Sequence, residues 1–167
     1  MSEEETKQSE IKIVKVTDPR WVGYLAEPIK QYIEKINIPT ITYETLYTYF
    51  VQVVQGGGDV NELWASHYEN DYKPIAFCNW YVKTLPHFGA AEIGHIYSWN
   101  RAKVPVSLLI DEFLEFAYRN RCPIVTGDIV NDAVWKVFDK LATRKNLSLT
   151  KTEQINFYGK KVGNSNG

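Results

Sequence analysis

Apolar and basic residues alternate over residues 11–16 (IKIVKV), the period-two pattern of a strand with one buried face. The ten residues before it are polar and charged, and are expected to be disordered. From Asp18 the period changes. Asp18 and Pro19 combine a capping oxygen with a first-turn proline, and Trp21, Val22, Leu25, Ile29, Ile33 and Ile36 follow at helical spacing. Pro28, inside that run, is expected to kink or split the helix. Pro39 and Thr40 break the chain, and a second helix is predicted over 42–55. Its buried stripe is Leu46, Phe50, Val53 and Val54, with Tyr43, Tyr47 and Tyr49 spread around the rest. The run Gly56-Gly57-Gly58-Asp59 ends it; no lysine–serine or lysine–threonine pair follows, so the glycines read as a helix stop and turn.

Strands are predicted over 61–68 and 74–84, joined by a turn at 69–73, and over 91–99 after a turn at 85–89. Three strands with short connections imply an antiparallel meander. The order then becomes helix, strand, helix. A helix over 105–120 is expected to bury Leu108, Leu109, Phe113, Phe116 and Ala117. A short apolar strand follows over 122–130. Asn131 then caps a helix that buries Ala133, Val134, Val137, Phe138 and Leu141. Residues 147–162 read as a final pair of strands, and 163–167 as a loose tail. The expectation is one α/β (α+β) domain over 11–162, with a mixed, mostly antiparallel sheet flanked by helices.

Composition changes this picture little. With 19 basic and 20 acidic side chains, nothing draws the chain to nucleic acid or to an anionic membrane. Cys78 and Cys122 each lie in an apolar run, and their spacing suits neither a zinc site nor a disulfide framework; two buried thiols are expected. The acidic start, MSEEETKQSE, lacks the apolar core of a signal peptide, and no apolar run approaches the roughly 20 residues of a membrane span. These features point to a soluble, cytoplasmic protein.

Residues 91–114 combine an alternating strand (AEIGHIYSWN), a basic connection (RAKVPV) and an amphipathic helix (SLLIDEFL). Units of this kind often cradle phosphate-bearing cofactors, although the usual glycines are missing here. Three segments add a resemblance. LLIDEFLEFAYRNR is similar to the helix after the pyrophosphate loop of the GNAT superfamily of acyl-CoA N-acyltransferases. NDAVWKVFDKL resembles that family's N-x-x-A-x-x-L-Y-E-K-x-G-F segment, and INFYGKKV its closing strand. The predicted order, βααβββαβαββ, is also the family's.

The resemblance implies acetyl-CoA as cofactor and a small-molecule or protein amine as acceptor. It places Arg101 at the start of the R-x-x-G-x-G/A loop. It also implies that Arg101, Ala102, Lys103, Val104, Val106, Asn131 and Phe138 line the coenzyme A site, and that a backbone N–H in Ile96, Tyr97 or Ser98 polarises the thioester. No metal is implied. Val104, Pro105 and Val106 depart from the family's small residues, and Phe138 stands where a tyrosine usually protonates the leaving thiolate. These departures motivate a rival reading: a cellular or viral binding or assembly module that has lost the chemistry.

Glu92 and His95 are the candidate general bases. Three residues apart on a regular strand, they should face opposite sides of the sheet unless a bulge intervenes. His95 would share its face with Ile93, Tyr97 and Trp99. His67 and His87 read as strand-end or turn residues. Aromatics such as Trp64, Trp80, Tyr81 and Trp99 read as core, with an aromatic acceptor groove between the first helices and the sheet as the alternative.

Overall fold

The computed structural model describes residues 10–56, 60–84, 86, 88–98, 103–127 and 132–145. Strand β1 (Ile11–Lys15) leads into a 3-10 segment (Pro19–Leu25) and helices α1 (Ala26–Ile36) and α2 (Tyr43–Gln55). Strands β2 (Asn61–Tyr68), β3 (Asp71–Thr84) and β4 (Gly89–Ser98) follow. Helix α3 (Lys103–Arg119), strand β5 (Ile124–Gly127) and helix α4 (Asp132–Arg144) complete the described elements. The five strands lie in the order β1-β2-β3-β4-β5; β1 to β4 are antiparallel, and β5 joins β4 in parallel. The mixed, mostly antiparallel sheet expected from the sequence is therefore present. The predicted strands over 147–162 lie outside the described residues.

Local chemistry explains most element boundaries. Asp18 caps the 3-10 segment by accepting from the Arg20 N–H, and Thr42 and Thr45 form a reciprocal capping box on α2. The first helical run does split, but at Leu25/Ala26 rather than at the proline. Pro28 falls in the first turn of α1, where its missing N–H costs no helical bond. Helix α3 begins at Lys103, two residues before the predicted start, so Pro105 is its third residue.

Two cores flank the sheet. On one face α1 and α2 pack Ile29, Tyr32, Leu46, Phe50 and Val54 against Leu63, Ala65 and Phe77. On the other, α3 and α4 pack Leu109, Ile110, Phe113, Phe116 and Phe138 against Ala76, Cys78, Trp80 and Ile93. Leu108 is only half-buried, and Ile110 and Leu114 take the buried positions. Cys78 is fully buried, whereas Cys122 is only partly covered, because it lies in the turn between α3 and β5. Among the described residues, no helix is long and apolar enough to cross a membrane, and no group of three or more His, Cys, Asp or Glu side chains could hold a metal.

Glu62 is the buried charge on the α3 side. Trp64 and Trp80, stacked with ring centroids 5.7 Å apart, both donate indole N–H groups to its Oε1, at 3.1 and 3.0 Å. Lys15 on β1 lies 2.7 Å from Oε2, and Arg119 on α3 lies 3.9 Å from Oε1. Burial works against ionisation, but the bonds from Lys15, Trp80 and Trp64 outweigh it and hold the carboxyl below its ordinary value of 4.5. A depressed carboxyl contributes stability in full above the unfolded-state value, and that contribution fades as pH falls through the lower folded value. Glu62→Gln is therefore expected to cost about 1–3 kcal/mol near neutral pH and to flatten the acid limb of stability. Urea denaturation across pH checks both.

Candidate functional site

The site is organised by an irregularity in β4. Asn79 of β3 is level with His95, but the next residue, Trp80, is level with Ile93, so Gly94 is an extra residue in β4. That bulge resets the side-chain alternation. Before it, Ala91 and Ile93 face the α3 core; after it, Ile96 does, while His95 contacts Tyr32 and Phe50 on the α1–α2 side. Tyr81, level with Glu92, alternates with Trp80 of the α3 core and so lies on the α1–α2 face. Glu92 and His95 therefore share that face, correcting the expectation for a regular strand. Ile93 is removed from the face of His95, Tyr97 remains on it, and Trp99 lies outside the described residues.

The position needs glycine for lack of room. A Cβ on Gly94 would stand 2.8 Å from Asn79 Oδ1 and 3.1 Å from Tyr81 Cε1. Asn79 cannot readily yield. Tyr49 of α2 donates to its Oδ1 at 3.2 Å, its Nδ2 donates to Asn61 Oδ1 at 2.9 Å, and Asn61 Nδ2 donates back to Tyr49 Oη at 3.3 Å. A further bond from Asn79 Nδ2 to the Glu62 carbonyl, at 2.9 Å, completes a closed polar ring around a fully buried side chain.

The two candidate bases have different surroundings. Glu92 accepts from Tyr81 Oη and, at 3.0 Å, from Thr126 Oγ1 on β5; Lys83 Nζ is 3.9 Å away. Its side chain keeps 21% of its surface exposed. His95 Nδ1 lies 2.9 Å from Tyr32 Oη, and its ring meets those of Tyr32, Phe50 and Tyr49 edge-on. Burial pushes its pKa down to about 4, so the imidazole is neutral at physiological pH. The Tyr32 hydroxyl is pushed up, chiefly by burial, and stays protonated. Tyr97 extends the aromatic wall, with Lys35 Nζ 5.1 Å from its ring centroid.

Beyond the bulge β4 runs on to Ser98, whereas its described pairing with β5 stops at Ile93↔Gly127. Ser98, alternating with Ile96, faces α3 and has a buried hydroxyl without a partner among the described residues. Lys103 and Val104 lie in the first turn of α3; Val106 and Phe138 are buried in the α3–α4 core, the ring of Phe138 6.0 Å from that of Phe113. Arg101, Ala102, Asn131 and His87 lie outside the described residues. His67 is buried on β2 with Nδ1 2.7 Å from the Tyr68 carbonyl. Trp64 and Trp80 belong to the α3 side, so the groove aromatics are Tyr32, Tyr49, Tyr81 and Tyr97. Tyr32, Asn79 and Thr126 carry no motif and were not anticipated. Gly94 was the available signal, since a glycine inside a strand pattern marks a bulge or a close approach.

Gly94→Ala is expected to destabilise the fold by about 1–3 kcal/mol through overpacking. The loss should be smaller in an Asn79→Ala background, which removes the atom it meets; a double-mutant cycle in urea reads this coupling.

Solved structures share this architecture. The aminoglycoside N-acetyltransferase AAC(6')-Iy, in complex with the bisubstrate analogue CoA-S-monomethyl-acetylneamine, matches at a TM-score of 0.66 and 15% identity, over 92% of this chain and 100% of that one. A ribosomal-protein-alanine N-acetyltransferase from Brucella melitensis biovar Abortus 2308 matches at 0.64 and 15%, over 90% and 100%. Glucosamine-6-phosphate N-acetyltransferase from Arabidopsis thaliana matches at 0.63 and 15%, over 89% and 98%. No family model matches the sequence, and no curated protein is significantly similar to it by sequence. At these identities the likeness establishes the fold, which is that of the GNAT acyltransferases.

Proposed function

We propose that the protein is an acyl-CoA-dependent N-acyltransferase that transfers an acetyl group from acetyl-CoA to a small-molecule or protein amine. One observation carries this reading. The Gly94 bulge gathers Glu92 and His95 on one face of β4, beside the point where its described pairing with β5 ends. The three neighbours described above are N-acetyltransferases, which supports the same class.

The residues present fit such a cofactor in part. The first N–H groups of a helix are free to meet an anion, and in α3 Lys103 and Val104 retain theirs while Pro105 has none. The orphaned Ser98 hydroxyl leaves a polar atom for a bound group at the same end of the sheet. Arg101, Ala102, Lys103, Val104 and Val106 are the loop residues that would hold the diphosphate end, with Asn131 in the same coenzyme A site. Acetyl-CoA, when bound, supplies an activated thioester. A backbone N–H among Ile96, Tyr97 and Ser98 polarises the carbonyl oxygen. As the carbon–nitrogen bond forms and the carbon–sulfur bond breaks, Glu92 takes the amine proton directly or through water. Solvent supplies the thiolate's proton, since Phe138 has no hydroxyl.

Phe138 also favours a second reading, in which the fold serves as a binding or assembly module without chemistry. The two readings part on a thermal-shift measurement. About 1 mM acetyl-CoA is expected to raise the melting temperature by about 2–4 °C, and Arg101→Ala to weaken binding about tenfold. No shift, with no binding by calorimetry, would leave only the module. Given binding, Glu92→Gln should lower kcat/KM by about 10²–10⁴ while the shift persists.

A further inference from the structure

The geometry points to Tyr32 as a positioning residue: its hydroxyl donates to His95 Nδ1 and fixes the imidazole in the tautomer with its proton on Nε2, so His95 offers the site a hydrogen-bond donor rather than a base. The geometric part stands on its own, and its consequence for catalysis rests on the reading above.

Tyr32 is buried, its phenol carries a single hydrogen, and among the described residues its only polar partner is His95 Nδ1 at 2.9 Å. If Nδ1 carried the proton and donated to the phenol oxygen, the phenol hydrogen would be left without an acceptor in an apolar setting. The reverse arrangement satisfies both groups and uses each as the stronger partner, a phenol O–H as donor and an imine nitrogen as acceptor. Among the described residues, the surrounding side chains are Phe77 and Tyr97 around Tyr32, and Phe50 and Tyr49 around His95, with no carboxylate in contact. The nearest acid along the strand, Glu92, is already engaged by Tyr81, Thr126 and Lys83. Nothing nearby therefore favours the doubly protonated imidazolium, in keeping with its depressed pKa.

Nδ1 is thus committed to α1, and Nε2–H is the edge of the ring left to meet a ligand. Such a donor suits an acceptor substrate with a hydroxyl or carbonyl oxygen near its amine. It would not remove a proton from the nitrogen, and that step falls to Glu92.

His67 supplies an internal contrast. Its Nδ1 faces the Tyr68 carbonyl at 2.7 Å, and a carbonyl only accepts, so His67 carries a proton on Nδ1. Long-range ¹H–¹⁵N correlation spectra of the ¹⁵N-labelled full chain separate these states directly. Resonances are assigned by through-bond correlation to the backbone and checked with His95→Gln. The expected result is His95 protonated on Nε2 alone from about pH 8 to about pH 6, with Nδ1 shifting in Tyr32→Phe. A proton on His95 Nδ1, on both nitrogens near neutral pH, or an Nδ1 resonance unmoved in Tyr32→Phe overturns the assignment. The wild-type spectrum decides the tautomer even if a variant fails to fold. Failure to bind acetyl-CoA would leave this result untouched, whereas an Nδ1 proton would leave acyl transfer standing with His95 as its base.

Discussion

The contact between the Asn79 carboxamide and the bare backbone of Gly94 is what the site depends on. A regular β4 would send Glu92 and His95 to opposite sides, one of them into the α3 core. The bulge removes that conflict without moving either residue in sequence. It also needs a partner strand that tolerates it, and the Tyr49–Asn79–Asn61 ring, with the Glu62 carbonyl, supplies that by fixing the carboxamide from three sides. The same ring ties α2 to β2 and β3, so the helix that walls the groove and the strand irregularity that opens it are stabilised by one set of bonds.

The two faces of the sheet divide the work. On the α3 side, aromatic bulk packs densely, and the one buried carboxylate among the described residues, Glu62, is satisfied by two indoles and a lysine. A charge held this fully has little left to offer a ligand, and its role is to join β1, β3 and α3. On the α1–α2 side the aromatics are mostly tyrosines, and Glu92 and His95 are only partly buried. Glu92 and His95 there keep edges that reach beyond their protein partners. Burial with full satisfaction reads as structure; partial burial beside the point where the described β4–β5 pairing ends is compatible with a place for a ligand.

The order of the described elements and most of both cores were legible in the sequence, because apolar periodicity reports burial directly: Leu46, Phe50, Val53 and Val54 lie where the helical stripe puts them. The meander followed from short connections, and the fold from segments of low individual specificity in the right order. The pairing of Glu92 with His95 was not legible, since strand alternation assumes an unbroken ladder and one extra residue inverts it. Tyr32 was hidden for another reason. It lies 63 residues from His95, at an ordinary position in a helical stripe, and only the packing of α1 on the sheet brings the two together.

The departures at the cofactor end also take on physical meaning. Val106 and Phe138 are core residues, so their apolar character is what packing α3 and α4 against the sheet demands. Pro105, third in α3, removes one free donor from the first turn yet breaks no helical bond. What the helix end loses is therefore confined to a single N–H, and Lys103 and Arg101 keep positive charge in the sequence beside it. Under the proposed acyl transfer, phenylalanine rather than tyrosine at 138 would bear on the leaving group instead. A thiolate is a far better leaving group than an amine, since a free thiol ionises near pH 8.5. Its departure therefore depends less on a positioned acid than the attack depends on removal of the amine proton. Under the proposed acyl transfer, the carboxylate at 92 would therefore matter more than the missing hydroxyl at 138.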